Sequence, residues 1–361
     1  MSGDCSARVL VGLSGGVDSA VAAMRLQELG FEVIGVRMSV YDGPEDESLP
    51  PGCYGRGGAE DTASAERLAR SLGIPFQVLD CAAAWRKLVL DYFRAEYLAG
   101  RTPNPCIRCN ETVKFDLLPR LAREAGLNFD FFATGHYARK EYRMDWGGWV
   151  LKRGRDRQKD QSYFLYRLPR ERLERIIFPL GDMSKDEVRR LAAERGLAVH
   201  DRPDSQDFYG GRYVDLLNAA EREGEVVDRE GRMLGRHRGF WHFTPGQRKG
   251  LGVCAPQPLY VLGVDAQSNQ VLVGPREENF SGGCLIGETR FFRPVPEPGA
   301  RLLARLRSSQ PLEEVIVGET DGDGRLQVAF ARPLASVAPG QSLVLYDEEL
   351  VVGGGIIQPT L

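Results

Sequence analysis

The sequence predicts an α/β protein. A doubly wound, mainly parallel sheet fills residues 1–208, a small α/β middle domain follows over 209–278, and an antiparallel β-barrel closes the chain over 279–361. Three observations predict it. Apolar runs alternate with amphipathic segments through the first 200 residues, the rhythm breaks into short pieces near 208, and only strand-like segments follow 284. A chain of 361 residues has room for two to three such domains, each with its own core.

Each element has a local cause. Residues 9–13 form an apolar run suited to a buried parallel strand, followed by a glycine-rich turn and by Ala20, Val21 and Met24 at helical spacing until Gly30 stops the helix. Residues 31–38 read as a second strand, 60–72 as a helix ending at Gly73, 76–79 as a strand, 82–98 and 113–125 as helices, and 129–134 as a strand. Ser184 with Glu187 three positions on is a capping box for a helix over 185–195. Beyond 208, residues 212–222 read as one helix, and short pieces at 225–229, 240–243, 259–264 and 270–273 are separated by Gly, Pro and Asn. The strands 301–307, 314–318, 325–330, 342–346 and 351–357 follow, with Asp321-Gly-Asp-Gly324 as a hairpin turn.

Composition narrows the function classes. Forty-seven Lys plus Arg against 50 Asp plus Glu give a net charge of −3, which excludes a histone-like coat for nucleic acid but leaves room for a local basic groove. Two stretches have that character. Residues 139–160 hold eight basic side chains against four acidic ones, and residues 228–250 hold six against two with His237, Phe240, Trp241 and His242 interleaved, a mixture suited to phosphates and unstacked bases. The start lacks the layout of a secretory signal, and no run of 18 apolar residues exists to span a membrane. Seven cysteines, an odd number spread through the chain, suit reduced thiols in a cytoplasmic protein and single out the close pair Cys106 and Cys109.

Between the first strand and the first helix lies Gly12-Leu-Ser-Gly-Gly-Val-Asp-Ser19. Serine and paired glycines let backbone N–H groups turn inward round an anion, and the helix start adds partial positive charge. A glycine-rich turn of purely structural use is the plain alternative. Asp18 beside a polyphosphate needs a hard cation such as Mg²⁺ between them, or else serves as an ordinary first-turn carboxylate. Met38 ends the second strand, on the carboxyl edge of the sheet where ligands sit. Farther on, Pro103 and Pro105 stiffen a loop carrying Cys106 and Cys109. A nearby helix start, Arg108 and Lys114 favour thiolate there, and a redox pair, half of a metal site or two structural cysteines are all open.

The loop resembles the PP-loop of N-type ATP pyrophosphatases, which have an adenine nucleotide α-hydrolase-like fold, and lacks the lysine of the kinase and GTPase P-loop. Further motifs in order make the whole chain resemble the tRNA-specific 2-thiouridylases: Gly100-Arg-Thr-Pro-Asn-Pro105, Cys109-Asn110, Lys114-Phe115, Ala133-Thr-Gly-His-Tyr137, Lys159-Asp-Gln-Ser-Tyr-Phe-Leu165, Gly246-Gln-Arg-Lys-Gly-Leu-Gly252 and Ala338-Pro-Gly-Gln-Ser342. The resemblance implies ATP-dependent adenylation of the wobble uridine of a tRNA anticodon at C2, then sulfur substitution, with release of AMP and pyrophosphate. A related PP-loop enzyme for another base and a non-catalytic tRNA-binding relative are its rivals, and the intact loop speaks against the latter.

Carried onto this sequence, the resemblance gives Gly12, Leu13, Ser14, Gly15, Gly16, Val17, Asp18, Ser19, Met38 and Gly135 to ATP and Mg²⁺. It gives Cys109 to catalysis, and His136, Lys159, Asp160, Gln161, Arg307 and Gln341 to tRNA; the basic charge of the run 139–160 adds Arg153 to the expected tRNA contacts. It also implies a sulfur donor, either a protein or inorganic sulfide, and a monomer. One departure matters. Such enzymes carry a second catalytic cysteine after the α/β domain, where this chain reads Asp204-Ser-Gln-Asp-Phe-Tyr209, and no cysteine occurs between Cys109 and Cys254. Cys106 and Cys109 are then expected either to ligate a [4Fe–4S] cluster, with Asp207, Cys53 or a remote thiol as third ligand, or to act as a persulfide and its resolving thiol.

Overall fold

The computed structural model describes residues 6–43, 52–55, 58–197 and 208–359. The chain divides into two compact units. One comprises residues up to Val89 with Pro105–Gly211 and Glu349–Val351, and the other comprises Leu90–Asn104, Arg212–Glu348 and Val352 onward.

The first unit is built on five parallel strands in the order β3-β2-β1-β4-β7. These are β1 (Arg8–Gly12), β2 (Glu32–Ser39), β3 (Phe76–Asp80), β4 (Phe131–Ala133) and β7 (Ile176–Ile177); a hairpin of β5 (Ala138–Arg143) and β6 (Gly148–Arg153) intervenes in sequence. Leu10 of β1 lies opposite Ile34 on one side and Phe132 on the other. The strand order reverses beside β1, so the carboxyl ends of β1 and β4 open the crevice in which doubly wound sheets hold ligands. Helix α1 (Val17–Glu28) leaves β1 across that opening. Ala20, Val21, Ala22 and Ala23 are fully buried, in one core with the strands of the sheet and with Val188 and Ala192 of the helix Lys185–Glu194. That helix has the expected capping box: the Ser184 hydroxyl accepts the Glu187 N–H at 3.2 Å, and the Glu187 carboxylate accepts the Ser184 N–H at 2.7 Å.

Two helices differ from expectation. The one expected from residue 113 begins eight residues earlier, running from Pro105–Cys109 through a widened π segment, Asn110–Leu117, into Leu118–Glu124. Proline suits a first helical position, where its missing N–H is no loss, so both thiols ride on the helix itself. The helix expected over 212–222, in the second unit, shrinks to the single turn Tyr213–Leu216. Asn218 takes a left-handed φ of 51°, and the guanidinium of Arg94 claims the Leu216 carbonyl at 2.6 Å.

Apart from the helix Asp91–Leu98 and two short 3₁₀ turns, the described rest of the second unit is mainly β structure. Strands β8 (Gly224–Val227), β9 (Met233–His237), β10 (Tyr260–Asp265) and β11 (Gln270–Gly274) form a mixed sheet in the order β10-β11-β8-β9. Strands β12 (Phe280–Phe291), β13 (Arg301–Arg305), β14 (Glu313–Thr320), β15 (Leu326–Ala335), β16 (Ser342–Asp347) and β17 (Leu350–Ile357) run β12-β15-β14-β13-β16-β17, and β17 pairs back onto β12 to close a six-stranded barrel. Closure removes the exposed sheet edges that short β domains must otherwise protect.

Candidate functional site

The phosphate loop is held from several sides. Leu13 continues β1 by donating to the Val36 carbonyl at 2.8 Å, and the chain then turns at Gly15, whose φ of +81° favours glycine. A Cβ at Gly15 would also stand 2.8 Å from the Asp61 carbonyl oxygen. Ser19 ties the loop to α1: its hydroxyl accepts the Ser14 N–H at 3.2 Å and donates to the Gly16 carbonyl at 3.0 Å. Arg37, one residue before Met38 at the end of β2, donates to the Ser14 carbonyl at 2.8 Å, and Ser64 donates to the Gly15 carbonyl at 3.2 Å. These contacts fix the Ser14 and Gly15 carbonyls, and Ser14 itself is exposed. Met38 is half-buried and pairs with Leu79 across the sheet.

Behind the loop, Gly135 admits only a hydrogen. A Cβ there would lie 2.8 Å from the Asp18 carbonyl carbon and 2.9 Å from the Ser19 nitrogen, so the turn after β4 and the loop after β1 touch backbone to backbone. Asp18 faces this junction with its carboxylate a third exposed. The Tyr137 hydroxyl donates to Asp18 Oδ1 at 2.7 Å, and the ammonium of Lys185 lies 2.8 and 2.9 Å from its two oxygens. The Asp18 carboxylate is an oxygen ligand of the kind a hard cation takes. His136 points into the fold: it is buried, shares a 2.7 Å hydrogen bond with Thr134 through Nδ1, and packs near Phe115. Burial, reinforced by the charge of Lys114, drives its pKa well below the usual imidazole range, so the ring is neutral at physiological pH.

The two thiols sit three residues apart on one helix face, both half-buried. The expectation of a thiolate at Cys109 is corrected. Burial raises its pKa, and a charge on Cys53 acts in the same direction, against the lowering by Lys114 and by a hydrogen bond from Trp85. Cys81, buried beneath the site, is pushed up to about 12 by burial and by the charges of Asp80 and Cys109. Cys53 therefore belongs to this neighbourhood: the neighbouring Tyr54 ring stacks on Trp85 at 4.7 Å, and the Tyr54 N–H donates to the Phe208 carbonyl at 2.9 Å. Among the described residues, no group of three or more His, Cys, Asp or Glu side chains is arranged to hold a metal ion. A [4Fe–4S] cluster draws on three or four protein ligands and the helix supplies two, so the residues described here do not fit one. Asp207 lies outside the described residues.

The expected RNA-facing stretch 153–161 is more inward than its composition suggests. Asp160 is buried, with its carboxylate accepting the Gly154 N–H at 3.0 Å, the Ser162 N–H at 3.2 Å and Arg153 Nε at 3.1 Å. It anchors the turn after β6, and Arg153, only 12% exposed, is its counter-ion. Gln161 locks onto the phosphate-site turn, its Oε1 accepting the Tyr137 N–H at 2.9 Å. Lys159 is half-buried, and Arg155 and Arg157 pair with Glu187 and Glu349. In the second unit, the Gln341 side chain donates to the Thr102 carbonyl at 2.9 Å, and Arg307 donates to the Ser336 carbonyl at 3.4 Å.

Three family descriptions match in succession: tRNA methyl transferase HUP domain over residues 7–209, tRNA methyl transferase PRC-barrel domain over 216–275, and aminomethyltransferase beta-barrel domain over 281–357. Curated relatives match along almost the whole chain. The tRNA-specific 2-thiouridylase MnmA of Endomicrobium trichonymphae is 42% identical over 97% of this chain and 98% of its own, and that of Geotalea uraniireducens is 44% identical over 97% and 95%. The chain belongs to the tRNA-specific 2-thiouridylase family. Among more distant members, the enzyme of Clostridioides difficile is 38% identical over 98% of this chain and 99% of its own.

Within this 2-thiouridylase frame, four residues of the phosphate site went unread in the sequence: Arg37, Ser64, Tyr137 as a partner of Asp18, and Lys185. Tyr137 stood in a quoted motif and Lys185 inside a recognised capping box, but each reaches Asp18 across more than 100 residues of chain. Among the described residues, no helix of this family member is long and apolar enough to cross a membrane.

Proposed function

We infer that this chain is an ATP-dependent tRNA 2-thiouridylase. It activates C2 of the wobble uridine as an adenylate, releasing pyrophosphate, and replaces the oxygen with sulfur, releasing AMP. The observation that supports this reading best is an intact phosphate loop without a P-loop lysine, set at the carboxyl edge of a parallel sheet, in a chain that matches 2-thiouridylases along 97% of its length. Gly12 to Ser19 hold the leaving pyrophosphate through backbone N–H groups, and Gly135 lets the neighbouring turn approach that loop. Asp18 would hold Mg²⁺, which would supply positive charge to offset that on the phosphates. Met38, at the strand end, lines the side toward the adenine.

Sulfur travels through Cys109 and Cys106. A persulfide on Cys109, loaded by an external sulfur donor, attacks the adenylated carbon and expels AMP. The Cys106 thiolate then attacks Cys109 Sγ, forming a disulfide between the two cysteines and releasing 2-thiouridine. An external dithiol reduces the disulfide. Helical i,i+3 spacing brings the two residues within the range a disulfide needs. Burial keeps the Cys109 thiol protonated until it is loaded, which limits its loss to stray oxidants. The tRNA contacts are Lys159 and the free edge of Gln161 in the first unit, and Arg307 and Gln341 in the second. Three functional parts, 1–208 for ATP, 209–278 as a small middle domain and 279–361 as a barrel for the anticodon arm, divide the work.

The test is the nucleotide product. With tRNA and a persulfide donor, ATP should yield AMP and pyrophosphate in equal amounts, and ADP as the product would overturn the reading. Cys109→Ala should make no thiolated product, while Cys106→Ala should stall with the tRNA bound to Cys109 through a disulfide.

A further inference from the structure

Lys185 is an unusual lysine. It opens the helix Lys185–Glu194, where the helix dipole favours carboxylates such as the neighbouring Asp186 and Glu187, and it is 6% exposed. A buried ammonium persists only when it is paired and hydrogen-bonded. One partner is the carboxylate of the phosphate loop, 167 residues away in sequence: Nζ lies 2.8 Å from Asp18 Oδ1 and 2.9 Å from Oδ2. The carboxylate, with a side chain 33% exposed against 8% for Lys185, stands between the ammonium and solvent.

The hydrogen bonds on Asp18 are uneven. Oδ1 accepts from Lys185 and from the Tyr137 hydroxyl, which uses both of its lone pairs, while among the described residues Oδ2 accepts from Lys185 alone. Oδ2 therefore has the spare acceptor capacity, on a side chain that is 33% exposed.

We propose that Lys185 is a positioning residue of the nucleotide site: with Tyr137 it fixes the Asp18 carboxylate so that Oδ2 alone is presented to the Mg²⁺ of the nucleotide, and it offsets the charge of Asp18 toward the phosphates. This rests on the ATP reading above. On this assignment Lys185 acts through Asp18, so its effect vanishes when Asp18 can no longer bind a cation.

The experiment measures binding of α,β-methylene-ATP as a function of Mg²⁺, alongside urea unfolding, for the wild type, Lys185→Met, Lys185→Arg, Asp18→Asn and the double variant Lys185→Met with Asp18→Asn. Lys185→Met should raise the Mg²⁺ needed for half-maximal binding by roughly tenfold or more, the scale of a lost charge-assisted contact. Lys185→Arg should recover part of that shift, and adding Lys185→Met to Asp18→Asn should shift it no further. If Lys185→Met lowers the urea midpoint but leaves the Mg²⁺ dependence at the wild-type value, the lysine is merely structural and the proposal fails. It also fails if the two substitutions act additively on Mg²⁺. Should Lys185→Met not fold, Lys185→Arg and Asp18→Asn still decide the matter, since an unchanged Mg²⁺ dependence in both would overturn the assignment. Failure of the ATP reading itself would show separately, as ADP formed by the wild type.

Discussion

Gly135→Ala is the smallest change that should separate the nucleotide site from the rest of the fold. The new methyl carbon would stand 2.8 Å from the Asp18 carbonyl carbon and 2.9 Å from the Ser19 nitrogen, where ordinary contacts begin at 3.4 Å, so the two backbones must part by about 0.6 Å. Both opposing atoms belong to the backbone at the start of α1, where Val17, Ser19 and Ala20 are buried, and cannot swing away as a side-chain tip would. Overpacking of this kind costs about 1–3 kcal/mol, and in a unit of this size each kcal/mol lowers Tm by about 2–4 °C. The functional loss should be larger in proportion. A displacement of 1 Å can cost of order 100-fold in rate, so about half that displacement predicts of order tenfold slower AMP formation, with weaker nucleotide binding. Calorimetry and a pyrophosphate-release assay read the two effects. A variant with wild-type Tm and wild-type turnover would refute the claim that the turn after β4 clamps the phosphate loop.

Asp18→Asn should keep the fold and lose at least 100-fold in AMP formation, since it removes the oxygen charge that faces Mg²⁺; wild-type turnover at saturating Mg²⁺ would count against that role. Alkylation of Cys109 by iodoacetamide, followed by mass spectrometry, should be slow at pH 7 and accelerate as pH rises. Lys114→Met should slow it further, because the lost positive charge was lowering the thiol pKa. Cys81 and Cys284 have thiols raised from 9.0 to about 12 in the folded protein. The folded state therefore holds protons that the unfolded chain releases. Their contribution is fully present below pH 9 and is lost as pH climbs toward 12, and urea midpoints across that window should fall less steeply in Cys81→Ser with Cys284→Ser. Neutralising Arg155 should weaken tRNA binding only slightly, and less still as salt rises, because Arg155 is paired with Glu187; filter binding at two salt concentrations measures the loss.

The parallel sheet was legible because fully buried strands are apolar throughout, as in residues 9–13, and because glycines and a capping box mark the helix ends. The phosphate loop was legible for a similar reason, since its chemistry is local: glycine at the turn, serine at the helix start. What the sequence hid was long-range or a matter of burial. The hairpin of β5 and β6 is rich in charged residues and showed as a basic stretch, because its pairing register, Ala138 opposite Arg153, is set by contacts and not by composition. Asp160 has the residue type of a solvent-facing group, and only the three donors that converge on it explain why it is buried. The thiols were expected to be ionised from the basic residues beside them. Desolvation outweighs those charges at Cys109, and desolvation depends on packing by Trp85 and its neighbours, which no spacing of residues encodes.

The central claim is that this chain couples ATP cleavage at the loop of Gly12 to Ser19 to thiolation of a wobble uridine through Cys109. Its most direct test is nucleoside mass spectrometry of unmodified tRNA incubated with the protein, ATP, Mg²⁺ and a persulfide donor, with AMP counted in the same reaction. The account predicts 2-thiouridine at the wobble position, one AMP per sulfur inserted, and neither product in Cys109→Ala. Sulfur insertion that proceeds without ATP, or thiolation undiminished in Cys109→Ala, would contradict it.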